Sequence, residues 1–118
     1  MDEPSAATRK FQKEMNAGTA SLVLLSVLSW SKEPMYGYQI AKLLEESAPD
    51  VSMMKQGSLY PVLRSLEENG LLESMVEPSV SGPPRRYYKI TKEGREALAE
   101  WLEIWKQTRK FVDNILKG

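Results

Sequence analysis

Few small folds can accommodate what the end of this chain requires. From Thr91 onward, Leu98, Trp101, Trp105, Thr108, Val112 and Ile115 recur at alternating spacings of three and four residues. That is the a/d seam of a heptad on one continuous helix. Thr91 stands where its cap belongs, and Glu93 and Gly94 lie in the first turn. At about 1.5 Å per residue, such a helix is about 40 Å long. Leu102, Phe111 and Leu116 widen the stripe on one side. A helix of this length, arriving after the elements of a small core are complete, has little of its own chain left to pack on. Its seam calls for a second chain, which makes a homodimer the expected state.

The rest of the sequence is short enough to make that help valuable. The chain has 118 residues, 42% apolar and 27% charged, an ordinary composition for a single globular domain. A domain of this size buries only about 65% of its unfolded surface, so the core is thin. Cysteine and histidine are both absent. Disulfides, thiolate nucleophiles, the common zinc sets and an imidazole base are thereby excluded. No metal and no cofactor are expected. Leu22 to Leu28, the densest apolar run, contains Ser26 and falls far short of the ~20 residues that span a bilayer. The opening Met1-Asp2-Glu3-Pro4-Ser5 lacks the basic-then-apolar order of a signal peptide. The expectation is a cytoplasmic protein with no membrane partner.

Periodicity predicts a first helix from about Thr8 to Trp30. Phe11, Met15, Leu22, Leu25 and Ser29 form one stripe, and Val23, Val27 and Trp30 a second. Its later part is apolar on most sides and belongs at the centre of the core. Ser31-Lys32-Glu33-Pro34 ends it. A second helix runs from about Gly37 to Ser47, burying Ile40, Leu43 and Leu44, and Ala48-Pro49-Asp50 stops it. Gly37, in the first turn, permits close approach of another backbone. A third helix spans roughly Gly57 to Asn69 over a core stripe of Leu59, Leu63 and Leu66, with Pro61 placed in its first turn and Asn69-Gly70 as a left-handed stop. Its other face shows Ser58, Tyr60, Pro61, Arg64 and Ser65: short polar groups and an arginine near a helix N-terminus. Leu71–Val76 and Arg85–Ile90 read as strands, and Pro78 to Pro84 must be the loop between them. Three helices followed by a hairpin with a Pro/Gly tip is the order of a winged helix-turn-helix. The fold class is therefore mainly α with a small β-hairpin wing and a long C-terminal dimerisation helix. Residues 1–8 form a tail, 9–91 the winged domain and 92–118 the dimerisation helix.

Net charge is zero, but its distribution is not even. Ser52–Leu66 and Ser79–Arg95 carry Lys55, Arg64, Arg85, Arg86, Lys89, Lys92 and Arg95 against the single acid Glu93. These windows hold +6 and the remainder −6. Phosphate affinity follows the local field and not the sum, so the pattern matters if the two windows meet in space.

Three stretches together resemble the PadR family of winged-helix regulators: Met35-Tyr36-Gly37-Tyr38-Gln39-Ile40, Gly57-Ser58-Leu59-Tyr60-Pro61-Val62-Leu63-Arg64-Ser65-Leu66-Glu67, and Gly82-Pro83-Pro84-Arg85-Arg86-Tyr87-Tyr88-Lys89-Ile90-Thr91-Lys92-Glu93-Gly94. The likeness covers about residues 22 to 116, and the single closing helix is that of the small subfamily. It implies a DNA-binding repressor whose third helix enters the major groove while the wing touches the adjacent backbone or minor groove. Ser58, Tyr60 and Arg64 are then the candidates on the helix, with Arg64 suited to a guanine edge. Gly82, Arg85, Arg86 and Lys89 are the candidates on the wing. Strand alternation separates Arg85 and Tyr87 from Arg86 and Tyr88, and Arg85, beside the Gly-Pro tip, is the favoured contact. Tyr36, Tyr38, Tyr87 and Tyr88 read as packing groups with rim hydroxyls. Lys42, Lys92 and Arg95 read as a solvated face, and Glu67 and Glu68 as facing water.

The resemblance also raises an effector. In small-subfamily dimers the first and last helices cross, and some members hold aromatic drugs between tryptophans of the two last helices. Trp105 stands at the matching position, with Trp101 a turn before it. Met15, Gly18, Thr19 and Leu22 would line the pore from the first helix, and Arg109 would favour an anionic or neutral aromatic ligand such as a phenolic acid. The alternative is that Trp101 and Trp105 only pack the seam formed with Leu98, Thr108, Val112 and Ile115. Two other functions compete. A winged helix used as a protein–protein adaptor usually loses the basic recognition face and wing, which this chain keeps. An enzyme would need a Ser-Lys or carboxylate site, and no such pair stands out.

Overall fold

The computed structural model describes residues 3–47 and 56–118, the side chains of residues 56 and 57 excepted. The expected stop at Ala48-Pro49-Asp50 and the base Lys55 lie outside the described residues. Helix α1 spans Ala6–Trp30. It starts before the expected Thr8 because Ser5 caps it: the Ser5 Oγ accepts the Thr8 amide at 3.1 Å. Ala20, Leu24, Leu25, Val27 and Leu28 bury its second half. Phe11, Met15 and Trp30, all members of the expected stripes, stay exposed. The first half of α1 reaches past the core of its own chain.

Strand β1, Met35–Tyr36, follows the break at Pro34. It pairs with one edge of β3, Arg85–Ile90, setting Met35 opposite Tyr88 and Tyr36 opposite Tyr87. Helix α2, Gly37–Ser47, then buries Ile40 completely. Helix α3, Gln56–Glu68, lays Leu59, Leu63 and Leu66 into the same core. Pro61 is its sixth residue and sits beyond the first turn, contrary to expectation. The helix begins before Gly57, so the proline removes one bond in its second turn, on the exposed side. The C-terminus of α3 closes as a Schellman motif. Gly70, at φ 77°, donates to Glu67 O at 2.9 Å, and Leu71 N donates to Leu66 O at 2.9 Å.

That closure uses Leu71, so strand β2 begins one residue late, at Leu72, and runs to Glu77. It pairs antiparallel with β3 from Leu72 opposite Ile90 to Glu77 opposite Arg85. β3 is thus the centre of a three-stranded sheet with β1 and β2 at its edges. Helix α4, Lys92–Lys117, is anchored to the end of α3 through Thr91. The Thr91 hydroxyl accepts from Gly94 N at 3.0 Å and donates to Gly70 O at 2.7 Å, while its amide donates to Leu71 O at 3.1 Å. Gly94 is required here, because a Cβ would run into the Leu71 carbonyl oxygen. Leu98 enters the core and Trp101 packs on its edge. Arg95, expected to be solvated, also donates to Ser29 O of α1 at 3.1 Å. Past Trp101 the side chains of α4 are exposed to the end.

Candidate nucleic-acid interface

The two faces of the β2–β3 hairpin have different fates. The inner face runs from buried Leu72 and Ile90, through Ser74 and Tyr88, to exposed Val76 and Arg86. It therefore leaves the core directly beside α3. The outer face carries Arg85, Tyr87 and Lys89, with Glu77 opposite Arg85 and Glu73 opposite Lys89. Alternation separates the two arginines as the sequence implies.

On the outer face the Arg85 guanidinium lies 4.6 Å over the ring of Tyr36, a cation–π contact. Tyr36 meets Tyr87 edge-on at 5.3 Å and stacks with Tyr38 at 6.4 Å. Three of the four tyrosines read as packing groups are thus one aromatic patch under Arg85. On the inner face, Arg86 and Tyr88 join Tyr60, Arg64 and Glu67 of α3 around a cavity of about 420 Å³. Burial pushes the Tyr88 hydroxyl above its ordinary pKa. The two basic windows of the sequence do meet, through Arg64 and Arg86.

Two readings need correction. Gly37 admits a side chain where another backbone was expected: a Cβ there would stand 2.5 Å from Tyr60 Cε1 and 2.6 Å from its hydroxyl. The Tyr60 ring thus lies against the start of α2. Glu67 turns from water toward the wing, its Oε2 accepting from Ser74 Oγ at 2.6 Å. Glu68 is exposed as expected. Ser58, Arg64 and Ser65 are exposed on the helix, as are Gly82 at the wing tip, Arg85, Arg86 and Lys89 on β3, and the solvated Lys42 and Lys92. Gly82 takes φ 133°, a conformation that favours glycine. Sequence reasoning passed over Ser74, a polar residue on the core side of a strand. Its sole signal is that break in the apolar alternation.

On the closing helix, Leu98 is taken up by the chain's own core and Trp101 partly so. Trp105, Thr108, Arg109, Val112 and Ile115 project outside it. On α1, Met15 and Gly18 are exposed while Thr19 and Leu22 are half-buried. Arg109 makes an exposed ion pair with Asp113, Nε to Oδ2 at 3.7 Å.

A helix bearing hydroxyls and an arginine, set beside a two-stranded wing that brings in a second arginine, defines a winged-helix protein. The chain belongs to the transcriptional regulator PadR-like family, whose model matches residues 24–100. It is similar to a PadR family transcriptional regulator of Eggerthella lenta, at 33% identity over 93% of this chain and 92% of that one, with a TM-score of 0.77. A PadR-like regulator of Bacillus cereus is 31% identical, covering 89% and 98%, at a TM-score of 0.71. A transcriptional regulator of Clostridium thermocellum is 28% identical, covering 86% and 96%, at 0.76. The family's members are transcriptional regulators and not enzymes. This chain is accordingly a DNA-binding regulator in class. Among the described residues, no helix is long and apolar enough to cross a membrane.

Proposed function

We propose that the protein is a homodimeric repressor that binds an inverted-repeat operator in duplex DNA and is released by an aromatic small molecule. The observation that carries this reading is the uncovered end of α4. Trp105, Val112 and Ile115 are 39%, 42% and 65% exposed on a helix that is otherwise regular to Lys117. Burying their remaining apolar surface against a second chain gains about 25 cal/mol per Å² removed from water, a reason for two copies to associate. A two-fold axis through the closing helices presents two α3 helices about 34 Å apart, one turn of B-DNA. An operator with inverted half-sites follows, and repression is steric exclusion at a promoter.

Ser58 and Tyr60 suit phosphate, Arg64 suits a guanine edge, and Gly82 with Arg85, Arg86 and Lys89 suits the neighbouring backbone or minor groove. Arg86, which shares a cavity with Arg64, makes the wing and the helix one continuous surface. That convergence also favours DNA over a protein–protein adaptor, which has no use for it. The effector belongs where Met15, Gly18, Thr19 and Leu22 of α1 meet Trp101, Trp105 and Arg109 in the dimer. The site is aromatic and carries Arg109, whose exposed pair with Asp113 a ligand carboxylate can replace, so an anionic or neutral aromatic such as a phenolic acid is the matching class. Binding there changes the separation of the two α3 helices, a coupling of about 1–3 kcal/mol. Selection of bound duplexes from a random pool tests the operator, and inverted half-sites are the expected outcome. Titration with phenolic acids should quench Trp fluorescence and weaken DNA binding together; neither change means no effector of this class.

A further inference from the structure

We infer that Glu67 and Ser74 are positioning residues for DNA recognition: a carboxylate–hydroxyl relay aims Arg86 of the wing beside Arg64 of α3. The inference rests on the DNA-binding reading above. An acid at the rim of a phosphate-binding surface is repelled by the ligand, so its presence there needs a reason. The geometry supplies one. Ser74 Oγ donates its single proton to Glu67 Oε2 at 2.6 Å, a short charge-assisted bond. With that proton committed, the hydroxyl oxygen offers only lone pairs, and Arg86 Nη1 donates to it at 2.9 Å. Without the carboxylate, the hydroxyl is a free rotor that can turn its proton toward the guanidinium.

The wing needs such a device because Arg86 is exposed on a strand next to an open loop. A long side chain that must be ordered on binding costs affinity, and ordering it beforehand removes that cost. Arg85 is held differently, by the Tyr36 ring on the opposite face. Of the two wing arginines, Arg86 is the one that shares the 420 Å³ cavity with Tyr60, Arg64, Glu67 and Tyr88, which leaves room between the helix and the wing for a backbone phosphate group.

The sign of one substitution separates positioning from mere proximity. The probe is a duplex selected by the wild-type protein, and wild-type binding is measured first. If Glu67 positions Arg86, Glu67→Ala and Ser74→Ala each weaken binding by about fivefold to tenfold. Ser74→Thr, which keeps the hydroxyl, restores most of the loss. In an Arg86→Ala background, Glu67→Ala produces no further weakening, whereas general damage to the fold lowers affinity there too. Tighter binding by Glu67→Ala, or losses that simply add to that of Arg86→Ala, overturns the relay while leaving DNA binding intact. A wild-type protein that binds no duplex takes both readings down together.

Discussion

Arg64 and Arg86 lie on one cavity, and the proposed function gives them different tasks. Arg64 projects from the exposed side of α3, and in the proposed function it meets a guanine edge, a bidentate contact worth about 1–3 kcal/mol of discrimination. Arg64→Ala should therefore shrink the affinity ratio between selected and scrambled duplexes by about fivefold to 150-fold. Alanine at Arg85 or Arg86 should weaken all duplexes alike and lower the slope of log affinity against log salt by about 1. Equal affinities in all three variants and wild type contradict the assignment. Tyr88 tests the core beneath them. Burial raises its pKa above the ordinary 10.0, so the folded form holds its proton more tightly than the unfolded chain does. The stabilisation this gives is complete below pH 10 and is lost as pH rises through the folded value. Denaturant unfolding from pH 8 to 11 should show that alkaline loss in wild type, and a weaker one in Tyr88→Phe.

Two glycines show how elements are joined. At Gly94 an added Cβ meets the Leu71 carbonyl oxygen, backbone that is already tied to Thr91 and cannot retreat. Gly94→Ala should cost about 1–3 kcal/mol or more in thermal or denaturant unfolding. At Gly37 the added atom meets the Tyr60 ring and hydroxyl, side chain and not backbone. Gly37→Ala should cost less stability than Gly94→Ala while altering DNA affinity through Tyr60. Equal costs at the two sites contradict this contrast. Elements governed by local chemistry were legible in the sequence: α2 and β3 have the expected bounds, Gly70 ends α3, and Thr91 caps α4. What escaped depends on contacts between distant segments. β1 has two residues, too few to alternate, and exists because Tyr87 and Tyr88 lie alongside. Glu67 reads as a wet position on an isolated helix, and turns inward only because the hairpin folds back along α3. Alternation separates Arg85 from Arg86, but which of them faces α3 depends on which side of the sheet Leu72 and Ile90 bury.

The whole molecule is a small core with two uncovered arms, the first half of α1 and the last half of α4. Their apolar residues, Phe11, Met15, Trp105, Val112 and Ile115 among them, leave much of their surface uncovered in a single chain. Trp105→Lys should accordingly leave the monomer's fold intact, as judged by circular dichroism, while lowering the association constant at least a hundredfold. Loss of paired α3 helices should then weaken operator binding far more than loss of any one basic side chain. The central claim is that two chains, joined along their closing helices, read one duplex. Sedimentation velocity of the protein with a selected duplex measures that directly, since it weighs the complex. Two chains per duplex, with free protein already sedimenting as a dimer at micromolar concentration, is the predicted result. One chain per duplex, or free protein that stays a single chain throughout, contradicts it.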